Sequence, residues 1–153
     1  MSQRPVRRAG VTLIELLIVL VIVGILASIA WPSFVSAMNR GRRADAFSAL
    51  AKLTQAQERW RANQPFYKQD LEGWTEVAQT STGGHYQLSL VAVSDAAKAS
   101  RYRARATAIS TSPQANDSPC QVLEVEMNAG AINYRSYGSA AGDANSPESC
   151  WVR

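Results

Sequence analysis

The sequence predicts an α+β chain: one long N-terminal helix packed against an antiparallel four-stranded sheet, with a C-terminal region bounded by two cysteines. Three observations predict it. Residues 11–35, VTLIELLIVLVIVGILASIAWPSFV, form an apolar run broken by a single charge, Glu15. Four segments beyond residue 84 have the apolar–polar alternation of half-buried strands. The two cysteines, Cys120 and Cys150, both fall in the last quarter of the chain.

The first ten residues, MSQRPVRRAG, carry Arg4, Arg7 and Arg8 and end in Gly10, with no acid before Glu15. From Leu16 to Val35 only Ser28 and Ser33 are polar. At a rise of 1.5 Å per residue, such a run spans about 30 Å, the thickness of a bilayer's hydrocarbon core. Basic residues ahead of it favour a cytoplasmic N-terminus and a translocated C-terminal bulk. Arg40, Arg42 and Arg43, just past the run, weaken that orientation if charges are merely counted. An ordinary signal peptide would end at a small-residue cleavage site, which Ala27–Ala30 offers, but apolar residues continue to Val35. A carboxylate inside such a helix is costly and marks function. The chain therefore divides into a leader, 1–10, a membrane-length helix, 11–35, and a head, 36–153.

Pro32 removes a helical hydrogen bond and crowds the preceding turn, which predicts a kink or local melting between about Ser28 and Pro32. The helix is expected to resume over 36–62. Phe47, Leu50, Ala51 and Thr54 share one side, continued by Leu53, Gln57 and Trp60, and this stripe is the expected seat of the sheet. Pro65 disfavours helical geometry at Gln64 and ends the helix. Residues 63–84 read as a connecting loop, tacked down by Phe66, Tyr67, Leu71 and Trp74. Such long loops are more often functional or interfacial than idle.

The predicted sheet occupies 85–137. His85–Val93 places Tyr86, Leu88, Leu90 and Ala92 on one face. Arg101–Ile109 sets Tyr102, Ala104, Ala106 and Ala108 against Arg101, Arg103, Arg105 and Thr107. Val122–Met127 and Ala131–Tyr137 form a hairpin around Asn128-Ala129-Gly130, with Glu124 and Glu126 on the polar side. Two uses of Arg101, Arg103 and Arg105 follow. Arg103 and Arg105 can pair across strands with Glu124 and Glu126, or the three can form a basic surface for DNA, although only Tyr102 supplies an interleaved aromatic.

Charge argues little for nucleic acid. The formal net charge is +4, yet three of the sixteen basic residues lie in the leader, leaving thirteen against twelve acids. A translocated domain can keep a disulfide, and two cysteines allow one intramolecular pairing, 120 with 150; two unrelated thiols are the alternative. Closing about 30 residues would contribute roughly 3–4 kcal/mol, and Trp151 can then pack on the sheet edge. His85 is the one histidine and has no local nucleophile, so an enzyme is not expected. No ligand cluster suggests a metal or a cofactor. Asp143 and Glu148 are too sparse for calcium.

Gly10-Val11-Thr12-Leu13-Ile14-Glu15-Leu16, after a basic leader and before a long apolar helix, resembles the N-terminus of type IV pilins and of the pseudopilins of type II secretion. The family's plan of helix, loop, sheet and cysteine-bounded tail covers the whole chain. One departure is Val11, where the family usually has Phe; with the terminal Cys-Trp it points toward a minor type IV pilin.

The resemblance implies a subunit inserted once in the bacterial inner membrane, with its C-terminal domain periplasmic. A prepilin peptidase would cut between Gly10 and Val11 and methylate the new amine of Val11. The membrane assembly machinery would then pack the subunit among other pilin subunits in a surface pilus. Glu15 would pair with a neighbour's terminal amine and set the register, Thr12 would cap locally, and Pro32 would mark a segment that unwinds in the filament. A pseudopilin of a type II secretion system is the alternative, and a DNA-uptake pilin using Arg101, Arg103 and Arg105 a further one. Adhesion, twitching motility and DNA uptake are outputs of whole filaments, which one subunit's sequence does not rank.

Overall fold

A computed structural model of the chain describes residues 10–118, 120–138 and 150–151, and divides into two units, Met1–Ala37 and Met38–Arg153. Helix α1 runs Leu13–Arg61. Within the first unit the large apolar side chains, Val11 ahead of the helix and Leu13 to Phe34 on it, are all at least 50% exposed. Among the described residues it is the one helix long and apolar enough to cross a membrane.

The local melting expected at Ser28–Pro32 is absent: the helix is unbroken there. Proline costs one backbone bond, and long helical runs on both sides hold the turn. The Ser28 hydroxyl donates to the carbonyl oxygen of Ile25 at 2.7 Å.

In the second unit four strands form an antiparallel meander, β1 (Tyr86–Val91), β2 (Arg101–Ala108), β3 (Val122–Asn128) and β4 (Ala131–Tyr137), ordered β1-β2-β3-β4. The strand starting at Ala131 matches the expected bounds, and the other three differ by one or two residues at their ends. Ala129 and Gly130 close the β3–β4 turn, both with positive φ (48° and 88°). That pair of signs gives a two-residue hairpin the twist its strands need.

The register puts Tyr86, Leu88, Tyr102, Ala104, Ala106, Leu123 and Val125 in the core with Ala46, Leu50 and Leu53 of α1. Ala104 and Ala106 have no exposed surface, and small residues there allow the helix close approach. The buried stripe of α1 differs from the expected one. It runs Arg43, Ala46, Ala49, Leu50, Leu53, Ala56 and Gln57, while Ala51 is exposed. Leu50, Leu53 and Gln57 are buried as expected, but the stripe is turned toward Arg43, Ala46, Ala49 and Ala56, because Arg43 is buried with a partner and small alanines fit against the sheet.

Residues 63–84 contain no regular element beyond one bridge, Thr80 to Gln87. Tyr67, Leu71, Trp74 and Val77 anchor them, whereas Phe66 stays exposed. Gln57 clasps the loop: its Nε2 donates to the Lys68 carbonyl (2.7 Å), and Lys68 N–H donates back to Oε1 (3.0 Å).

Cys120 and Cys150 form the disulfide, with Cα atoms 5.6 Å apart. Next to it, Trp151 stacks on Phe47 (4.9 Å between centroids), meets Tyr134 (4.8 Å) and donates from Nε1 to the Arg135 carbonyl (3.0 Å). The edge strand β4 is therefore tied to the chain's end, as expected of Trp151. The leader arginines Arg4, Arg7 and Arg8, and the calcium candidates Asp143 and Glu148, lie outside the described residues.

Candidate assembly helix and basic sheet face

Two places carry the residues singled out above, one in each unit. At the start of α1, Thr12 stands at the N-cap. Its Oγ1 accepts the Glu15 N–H (3.3 Å) and its carbonyl accepts the Leu16 N–H (3.2 Å). Thr-x-x-Glu is the spacing of a capping box, so Thr12 closes an orphan amide and Glu15 lies in the turn where the helix dipole favours an anion. Glu15 is exposed and is the only charged residue of that turn. Gly10 and Val11 precede the helix, exposed and without regular structure. Pro32 lies in the same unit, within α1.

In the head, strand alternation turns Arg101, Arg103 and Arg105 of β2 away from the helix, together with Glu124 and Glu126 of β3 and Arg135 of β4. Glu124 and Glu126 lie on this polar side as expected, yet they are almost wholly buried, at 0% and 1% exposure. Neighbouring guanidinium groups cover them. Arg105 donates from Nε and Nη2 to Glu124 Oε2, at 3.0 and 2.7 Å. Arg101 binds Glu126 Oε1 through Nε (2.6 Å) and Nη2, and Arg135 Nη2 lies 2.7 Å from Oε2.

Half of the expected ladder therefore holds, since Arg105 pairs with Glu124. The other half is corrected: Arg103 stands opposite Glu126 in register but does not pair with it. Diagonal neighbours lie within reach of long side chains, and Arg101 and Arg135 take both oxygens of Glu126. Arg103 Nη2 instead contacts the Ala92 carbonyl at 3.5 Å, and its Nε is buried without a partner among the described residues.

Beneath the sheet lies an ion pair that sequence reasoning missed. Arg43 donates from Nε and Nη2 to Asp117, each at 2.7 Å, and Gln114 Nε2 also donates to that carboxylate. Hydrogen bonding to Asp117 raises the Arg43 pKa above its ordinary value, against the opposing effect of burial. Of the three arginines just past the apolar run, Arg43 is thus neutralised inside the head, while Arg40 is exposed and Arg42 half-buried. Asp45 is a second missed residue. It accepts the Gly83 N–H (2.9 Å) and the Ser81 hydroxyl, holding the end of the long loop on α1. Arg43's position three residues before Ala46 is the one sequence signal for burial; Asp117 has none. His85 is satisfied by Ser112, Nδ1 to Oγ at 3.0 Å.

This fold, with a capped apolar helix and a disulfide-closed sheet domain, defines a type IV pilin-class structural subunit. A model of the prokaryotic N-terminal methylation motif matches residues 6–31. A second model, described as type IV minor pilin ComP, DNA uptake sequence receptor, matches residues 32–124, and the chain belongs to that family. It is also similar to the type IV major pilin protein PilA of Myxococcus xanthus, 46% identical over 52 residues, which cover 34% of this chain and 24% of that protein. These are structural, non-catalytic proteins. The chain has a general pilin or pseudopilin structural role, with an N-terminal helix that, among the described residues, is long and apolar enough to span a membrane.

Proposed function

We propose that this chain is a minor or priming pilin of a type IV pilus, cut between Gly10 and Val11, methylated at Val11 and polymerised through its N-terminal helix. Before assembly it is a single-pass inner-membrane protein with a periplasmic head. The observation carrying this reading is the capping box directly after Gly10, at the head of a helix whose apolar surface is exposed on every side. Cleavage creates an ammonium at Val11, four residues before Glu15. In a dry bundle of helices, Glu15 pairs with that ammonium on a neighbouring subunit, because a lone buried charge costs several kcal/mol. The cysteine-bounded tail and the minor-pilin family favour a pilus over a type II secretion filament.

The test is Glu15→Gln, with mass spectrometry of sheared surface filaments. The expected outcome is loss of this chain from the filaments, and a wild-type chain beginning with methylated Val11 at low abundance. Incorporation of Glu15→Gln at the wild-type level would refute the pairing, and an abundant Val11-initiated chain would refute the minor role.

A second reading, DNA uptake, is favoured by the description of the family and by the outer sheet face, where four arginines surround two glutamates. Replacing Arg101, Arg103 and Arg105 together with Glu124→Gln and Glu126→Gln, so that no buried carboxylate is stranded, is expected to reduce DNA binding while leaving filament yield intact. Loss of filament yield with DNA binding unchanged would make the face a subunit contact.

A further inference from the structure

Resting on the DNA reading, we propose that the outer sheet face is a prearranged phosphodiester-binding surface in which Arg103 is the anchoring cation and Glu124 and Glu126 are positioning residues. The four arginines of that face are not equivalent. Three are tied to buried carboxylates: Arg105 to Glu124, and Arg101 and Arg135 to the two oxygens of Glu126. Each carboxylate bridges strands. Glu126 joins β2 to β4, and Glu124 takes Arg105 from β2 and the Tyr137 hydroxyl (3.4 Å) from β4. Arg105 is fixed further by lying over the Tyr137 ring, 5.7 Å from its centroid.

These contacts use one edge of each guanidinium. A guanidinium has five N–H donors in a fixed fork, so each tied arginine keeps donors for a second anion while losing little freedom on binding it. Arg101 and Arg135 retain 37% and 44% side-chain exposure, which leaves those donors reachable. Arg103 differs. It stands between Arg101 and Arg105 with no carboxylate partner among the described residues, so its charge is not offset by an ion pair there. Alternate residues on one strand face are about 6.8 Å apart, so the three β2 arginines form a row of roughly 14 Å. Four cations against two anions leave the face net positive, complementary to a polyanion.

The positioning role has a consequence opposite in sign to simple charge. Glu126→Gln makes the face one unit more positive, and by charge alone it tightens DNA binding. By positioning it weakens binding, because Arg101 and Arg135 lose their shared anchor. Asp95→Asn adds the same charge at a 97% exposed side chain that pairs with Lys98 rather than with an arginine of this face, and serves as the control.

The experiment measures full-length protein in nanodiscs against a fluorescein-labelled, mixed-sequence DNA duplex, by anisotropy across a salt series. Arg103→Ala is expected to weaken binding about tenfold and to flatten the slope of log K against log salt by about 1, while Arg103→Lys keeps the slope. Glu126→Gln and Glu124→Gln are expected to weaken binding while Asp95→Asn does not. Wild-type binding with Arg103→Ala unchanged, or tightening by both Gln variants, overturns the inference but leaves the DNA reading standing. Absence of wild-type binding overturns both. Loss of filament yield in Arg103→Ala with unchanged DNA affinity assigns the face to a neighbouring subunit and also overturns it. If neither Gln variant gives a native circular dichroism spectrum, the Arg103 pair decides.

Discussion

Asp117→Asn tests the buried tie between α1 and the segment ahead of Cys120. Arg43 and Asp117 have side chains only 11% and 5% exposed, joined by two hydrogen bonds of 2.7 Å. Asparagine keeps the shape and one acceptor but removes the charge that offsets the desolvated guanidinium. Breaking such a pair from one side costs about 3–5 kcal/mol, and the retained acceptor puts Asn at the lower end. For a domain with a total stability of about 5–15 kcal/mol, that is a large share.

Urea unfolding of the full chain in detergent, followed by near-ultraviolet circular dichroism, reads this as a drop of about 1–3 M in the midpoint. Replacing both partners with apolar residues, Arg43→Met with Asp117→Leu, is expected to recover most of the loss, since no charge is then stranded. A cost below about 1 kcal/mol for Asp117→Asn, or a double variant no better than the worse single one, would refute the assignment of the pair as a desolvated unit.

The remaining predictions concern the loop clasp and the core tyrosines. A Cβ on Gly83 would lie 2.9 Å from Asp45 Oδ2 and 3.0 Å from Cγ. Gly83→Ala therefore displaces the carboxylate that holds Ser81 and Gly83, at an expected cost of about 1–3 kcal/mol in thermal melts; Gly41→Ala, with open space around it, is expected to leave the melting temperature unchanged or raise it. Burial pushes the Tyr102 phenol up to about 12 and raises Tyr86 further. Both are neutral when folded, while the unfolded chain ionises near pH 10, so their contribution is complete below about pH 10 and falls as pH rises toward 12. Denaturant unfolding across that window is expected to lose stability, and Tyr102→Phe to lose less; an equal decline in that variant would contradict the assignment.

What sequence could reveal follows from how local each signal is. Period-two alternation is local, so the four strands were readable to within two residues. The Ala129–Gly130 turn was readable because its chemistry lies in adjacent residues. The helix face was harder: Leu50, Leu53 and Gln57 were placed on it, but the apolar pattern also drew in Ala51, while Arg43 owes its burial to a partner 74 residues away. The Arg–Glu lattice shows the same limit. Alternation placed Arg101, Arg103, Arg105, Glu124 and Glu126 on one face, but which arginine is left unpaired depends on Arg135 from β4 competing for Glu126. Competition among three strands is not written in any one of them.

The two parts of α1 differ in what they require from other molecules. In the head, the helix has one buried stripe, and the sheet and loop 63–84 cover it. From Val11 to Phe34 no such stripe exists, because the large apolar side chains are exposed all around the helix. Each is worth about 1.5–3 kcal/mol when removed from water. A partner on one side would leave the rest wet, so a dimer through a single face cannot replace the bilayer. Leaving the membrane requires neighbours on all sides at once, which is the geometry of a helical bundle. Within that bundle Glu15 is the one carboxylate of the segment, and on the proposed reading it selects among otherwise similar axial offsets. On that reading apolar contact supplies the affinity, and the single charge supplies the register.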